Sequence, residues 1–108
     1  MFARILDFEV KPEKKDDLMK VVKNQIVPIL KKQTGFREIL PFFPEKMKRD
    51  RIFTITLWTT KSDAERYERD AYTRVLEILK PFLSAPVNVN HYTLETSVCE
   101  HFVEALAA

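Results

Sequence analysis

A chain of 108 residues, 45% hydrophobic and 31% charged, fits one compact domain that buries roughly 60% or more of the surface its unfolded chain would expose. A net charge of +2 is too balanced to point to nucleic acid, and a single glycine, Gly35, excludes the phosphate-cradling loops that need several. With no apolar run near the ~20 residues of a membrane span, a cytosolic globular protein without nucleic-acid or membrane partners is expected.

From Phe2 to Val10 the side chains alternate as in a strand, with Phe2, Leu6, Phe8 and Val10 on one face and Ala3, Ile5, Asp7 and Glu9 on the other. Charged residues arrive too soon for a secretory leader, so this stretch reads as part of the fold. Arg4 interrupts the apolar face. It must snorkel to the rim or meet a charge, and the simpler reading is an edge position at the strand's solvent end.

Pro12 suits a first helical turn, and Glu13, Asp16 and Asp17 favour the positive end of a helix dipole. Leu18, Val21, Val22, Gln25, Ile26, Ile29 and Leu30 then recur at helical spacing. Pro28 lies inside this stripe and predicts a kink between Asn24 and Pro28. Lys31 and Lys32 suit the helix C-terminus, with the stop expected at Thr34 or Gly35.

FREILPFF, from Phe36, reads as a strand whose end, with turn chemistry at Pro41 and Pro44, is bent or lies at an edge. Residues 44–51 form the hairpin connection, and the cations Lys46, Lys48, Arg49 and Arg51 read as its solvated tip. The next strand, Ile52 to Thr59, sets Phe53, Ile55 and Leu57 against Ile52, Thr54, Thr56 and Trp58. Its second, mixed face is the one suited to line a cavity.

Ser62 and Glu65 have the spacing of a capping box. Ala64, Tyr67 and Ala71 mark the inward side of the helix that follows. A break near Asp70 would start a second segment with Val75, Leu76, Leu79, Phe82 and Leu83 buried. Pro81 and Pro86 close the region, and VNVNHYTLE, from Val87, returns to a period of two. The domain therefore spans 1–95, and 96–108 reads as a C-terminal arm that docks on a partner. Cys99, the sole cysteine, allows no disulfide within one chain and reads as a structural thiol.

Strand, helix, strand, strand, helix, strand is the order of the α+β ferredoxin-like βαββαβ arrangement, an antiparallel sheet with both helices on one face. The other face would leave apolar groups in water, among them Phe42 or Phe43, Ile52 and Val89. A homodimer joined through that face is expected.

Trp58 at the end of the third strand, the KSD turn, and Ala64, Tyr67, Asp70 and Tyr72 on the following helix resemble the antibiotic-biosynthesis-monooxygenase-like proteins of the dimeric α/β-barrel superfamily. VKPEK at Val10 and IVPIL at Ile26 are also similar to features of that family, and the resemblance covers nearly all of residues 2–95. It implies a cavity between sheet and helices in which a phenolic or quinol substrate is oxidised by O2, with no flavin, metal or other cofactor. Such chemistry requires deprotonating an electron-rich ring, stabilising its anion and admitting O2 to an apolar pocket.

On that reading Arg4 stabilises an oxyanion, while Asp7, Tyr72 or His91 exchanges a proton. Trp58 and Tyr67 hold a small apolar or aromatic ligand. Each also has a plain structural role available: Trp58, Tyr67 and Tyr72 as packing residues, His91 as a hydrogen-bonded strand residue, Asp7 as a partner of Arg4 or a lysine. His91 and His101 are not spaced as a metal pair. Haem-degrading relatives carry an asparagine on the first strand and a tryptophan and a histidine on the second helix. Here that strand has no asparagine and the helix positions hold Tyr67 and Glu77, which disfavours haem degradation. Tyr72 stands where quinol-oxidising relatives carry a histidine. The alternative is a non-catalytic dimeric module that binds a small ligand or a partner.

Overall fold

A computed structural model of the protein describes residues 1–45 and 51–99. Lys46, Lys48, Arg49, His101 and the arm beyond Cys99 lie outside the described residues. The order of elements is β1 (Phe2–Glu9), α1 (Lys15–Val21), a π-helical turn (Val22–Ile26), α2 (Val27–Lys31), β2 (Phe36–Phe42), β3 (Arg51–Trp58), α3 (Lys61–Asp70), α4 (Tyr72–Leu79) and β4 (Asn88–Thr93), with short 3-10 turns after α4 and β4. The strands form one sheet in the order β2-β3-β1-β4, every neighbouring pair antiparallel. This is the ferredoxin-like α+β fold, with the helices packed on one face.

The first helix begins later than its proline suggested. Pro12 does not open it. Lys11 to Lys14 form a turn closed by the Lys14 N–H donating to the Lys11 carbonyl at 3.1 Å, with Glu13 at φ 65°, as a type II turn led by proline requires at its third residue. Helix then starts at Lys15. Pro28 acts as expected but by a specific device. It cannot donate to the Asn24 carbonyl, and the backbone widens into the π turn, where the Val27 N–H donates to Val22 five residues back. The extra residue turns Gln25 out to solvent while Leu18, Ile26 and Leu30 stay buried. The helix ends at Lys31, short of Gly35.

Gly35 has a φ of 81°, its carbonyl accepts the Thr59 N–H at 2.8 Å, and a Cβ there would collide with the Asp63 side chain. Glycine is required on both counts. These contacts tie the turn before β2 to the junction between β3 and α3. The cap of α3 is Thr60 and not Ser62: Thr60 Oγ1 accepts from the Asp63 N–H at 3.1 Å. The break near Asp70 is present, at Ala71 (φ −135°, ψ −22°), and it separates α3 from α4.

Alternation along the strands sorts side chains between the two faces. Phe2, Arg4, Leu6 and Phe8 of β1 and Ile52, Thr54, Thr56 and Trp58 of β3 are buried on the helix side. Ile52 and Val89, expected on the uncovered face, pack in or against this core instead. The uncovered face carries Leu40, Phe42, Phe53 and Tyr92, all exposed, around the half-buried Ile5 and Ile55.

Candidate functional site

The most unusual side chain in the core is Arg4. It is only 1% exposed, so the expected rim position is wrong: its charge lies in the interior and must be met there, because an unpaired buried cation is prohibitively costly. Glu68 on α3 meets it, with the Arg4 Nε–H donating to Glu68 Oε1 at 2.7 Å. The same oxygen lies 2.5 Å from His91 Nε2 on β4. Arg4 and His91 stand opposite each other in the β1–β4 register, and this pairing lets one carboxylate serve both.

Aromatic rings close the other sides of Arg4. Its guanidinium carbon is 4.3 Å from the Tyr72 ring centroid and 5.1 Å from that of Tyr67, within cation–π range. Tyr67 stacks on Trp58 at 4.8 Å, and Phe36 meets Trp58 edge-on. The Trp58 indole N–H donates to Thr56 Oγ1 at 3.1 Å, which satisfies the only polar atom of a fully buried ring. Arg4 makes one hydrogen bond of good geometry among the described residues, through Nε, so its terminal nitrogens remain against the tyrosine faces.

Burial pushes the Tyr67 and Tyr72 phenols well above and above the usual phenol range respectively, with Arg4 opposing the rise in both. Both are therefore neutral donors near pH 7. Glu68 moves the other way: burial alone would raise its carboxyl, but hydrogen bonds from His91 and Arg4 outweigh it and hold the carboxyl below its ordinary value. The cluster thus contains a fixed cation, an ionised carboxylate and two neutral phenols.

A cavity of about 40 Å³ adjoins it, lined by Arg4 and Tyr67 at one end and by apolar side chains such as Leu6, Val22, Ile26 and Ile39. It lies under the π turn of the first helical region more than under α3. This is room for a few waters at most, not for an aromatic ring in the conformation described. On the outside, an open groove lined by Lys61, Glu65, Glu68 and His91 reaches the far end of the ionic cluster.

Of the residues singled out from the sequence, Arg4, Tyr67, Tyr72 and His91 come together, with Trp58 behind Tyr67. Asp7 does not join them. It lies on the opposite face of β1 and binds Arg51 through two hydrogen bonds, 2.9 and 3.1 Å. Sequence reasoning missed Glu68, although Ala64, Tyr67, Glu68 and Ala71 fall at helical spacing on one face. An inward carboxylate there was the natural partner for an inward arginine.

Fold and cluster define a small ferredoxin-like domain with an ionic site between its sheet and its helices. No protein-family model and no curated protein matches the sequence. Solved structures do match. The monooxygenase from the gene ActVA-Orf6 of Streptomyces coelicolor, solved with the ligand Nanaomycin D, superposes with a TM-score of 0.70 at 16% identity, covering 87% of each chain. A variant of SnoaB, a cofactor-independent oxygenase from Streptomyces nogalater, gives 0.70 at 14% identity over 91% of this chain and 96% of its own. A Nitrosomonas europaea protein provisionally named an antibiotic biosynthesis monooxygenase gives 0.71 at 14% identity over 88% and 99%. The chain is antibiotic-biosynthesis-monooxygenase-like in fold, as the sequence resemblance implied. At these identities the likeness is one of fold. No described helix is long and apolar enough to cross a membrane.

Proposed function

We propose that the protein is a cofactor-independent monooxygenase acting on a small aromatic or quinol-type substrate, held with its acidic oxygen toward Arg4 between sheet and helices, where the cavity of about 40 Å³ must widen to admit the ring. One observation carries the reading: a buried guanidinium, held through Nε by Glu68 and flanked by Tyr67 and Tyr72, forms the charged end of a largely apolar cavity. Pre-set positive charge in a dry site is what a developing phenolate or enolate requires. Two proteins of this fold, SnoaB and the ActVA-Orf6 protein, are named an oxygenase and a monooxygenase, which supports the class of reaction.

The reaction balances without a further reductant. A substrate methylene beside a phenol or enol, activated by loss of the O–H proton to solvent water, forms a C–O bond to O2. The hydroperoxide takes up the proton and expels water, so that one methylene and one dioxygen give one carbonyl and one water. Arg4 holds the anion, Tyr72 orients the ring through its neutral hydroxyl, and Tyr67 forms the wall with Trp58 stacked behind it. Metal-free protein should consume O2 with at least one anthrone or naphthoquinol, and Arg4→Met should slow it by at least tenfold. A broad panel without turnover would remove the enzyme reading.

The small cavity favours a second reading, a dimeric module that binds a small ligand or partner without converting it. Stabilisation to heat by a quinol or quinone with no product formed would establish it. Both readings include a homodimer joined through the uncovered sheet face, where Phe42 and Phe53 stack edge-on at 6.5 Å in contact with solvent. Light scattering at micromolar concentration should give twice the monomer mass, and Phe53→Glu should halve it.

A further inference from the structure

We propose that Glu68 is the positioning residue of the Arg4 site and that His91, sharing its oxygen, sets how much of Arg4's positive charge is left for a bound anion. This rests on the reading that Arg4 faces the ligand. It is carried by the placement of three side chains from three elements. Glu68 Oε1 takes Arg4 from the interior side at 2.7 Å and His91 Nε2 from the solvent side at 2.5 Å.

An ionised carboxylate only accepts, so the proton between Glu68 and His91 sits on Nε2. A second proton must then enter at Nδ1. His91 is 45% exposed on its side chain against 1% for Arg4, so the imidazole can take that proton from water while the guanidinium cannot reach solvent. With His91 neutral, Arg4 and Glu68 cancel. With His91 protonated, two cations share one carboxylate, the cluster gains a net positive charge, and the Arg4 Nε–H bond to Glu68 weakens as the imidazolium competes for the oxygen.

The remaining charged and titratable groups around the cluster do not offset this. Tyr67 of α3 and Tyr72 of α4 face Arg4 and Glu68 as neutral phenols. Lys61 and Glu65 of α3 share the outer groove and pair with each other at 3.8 Å. The route by which pH reaches the interior is therefore β4 to α3 to β1.

The Arg4 Nε–H resonance in 15N-labelled protein reads this directly, with no substrate needed. It should be shifted downfield and protected from exchange, and should move with one inflection as His91 takes up its second proton. In His91→Gln, which keeps a donor toward Glu68, the inflection should vanish while the protection remains. In Glu68→Gln, exchange should quicken by at least tenfold. An Arg4 signal that ignores pH in the wild type, or that titrates equally in His91→Gln, would overturn the proposal. If the resonances behave as expected but no quinol or anthrone is oxidised, the oxygenase reading falls and the charge coupling stands.

Discussion

Two arginine–carboxylate pairs sit on opposite faces of the same strand. Asp7 and Arg51, on the uncovered face, have the better geometry, two hydrogen bonds in a bidentate fork. Arg4 and Glu68, on the helix face, have one. Yet the surface pair is 49% and 31% exposed on its two side chains and the inner pair 1% and 31%, and environment decides their weight. Solvent already serves the outer charges, so joining them gains little. Arg4 has no such recourse: without Glu68 its charge would be stranded among aromatic rings.

The largest effect should come from stranding it. Glu68→Ala should cost roughly 3–5 kcal/mol in urea unfolding, the usual cost of breaking a buried pair from one side. Arg4→Met should cost less, about 1–2 kcal/mol, because Glu68 keeps His91 and can turn to water. The double variant Arg4→Met with Glu68→Leu should recover most of the Glu68→Ala loss. A Glu68→Ala loss below ~1 kcal/mol would mean that the inner pair is no different from the outer one.

Acid should separate the inner pair next. Because the folded-state carboxyl of Glu68 lies below its ordinary value, its unfolded form binds protons first as pH falls. Its contribution is then complete above the unfolded value, about 4.3, and is lost as pH drops through the folded value. The stability gap between wild type and Glu68→Gln, measured by chemical unfolding, should therefore be full at pH 7 and shrink below pH 4. A gap unchanged at pH 3 would show that the carboxylate's charge is not what holds Arg4.

The sequence made some of this contrast legible. Strict alternation put Arg4 and Asp7 on opposite faces of β1, which already argues against one site containing both, and the order of elements identified the fold. What it could not show is depth. Whether Arg4 stops at a rim or ends in the core depends on Glu68, 64 residues further on, and only the docking of α3 on β1 brings them together. Boundaries failed for local reasons: Pro12 serves a turn whose third residue takes positive φ, and TTKSD holds three hydroxyl side chains, Thr59, Thr60 and Ser62, among which the end of β3 at Trp58 selects Thr60 as the cap. Pro28 was readable as a disruption, but not as the π turn that turns Gln25 outward and lines the cavity with Val22 and Ile26.

The smallest effect belongs to the outer pair, and its size tests what covers that face. As a surface pair, Asp7 and Arg51 should contribute little, and Asp7→Asn should lose part of that, less in high salt. Asp7 also raises the Arg51 guanidinium above its ordinary value by hydrogen bonding, but a group already protonated at every accessible pH gives this no consequence for folding near neutrality. If a second copy covers the sheet, however, the pair leaves water on association and its value rises with burial. Asp7→Asn should then weaken stability more at micromolar than at nanomolar protein, and resist salt more at the higher concentration. An effect that stays small and salt-sensitive throughout would mean the pair remains at the solvent rim of any dimer, whose contact must then be built on Leu40, Phe42 and Phe53.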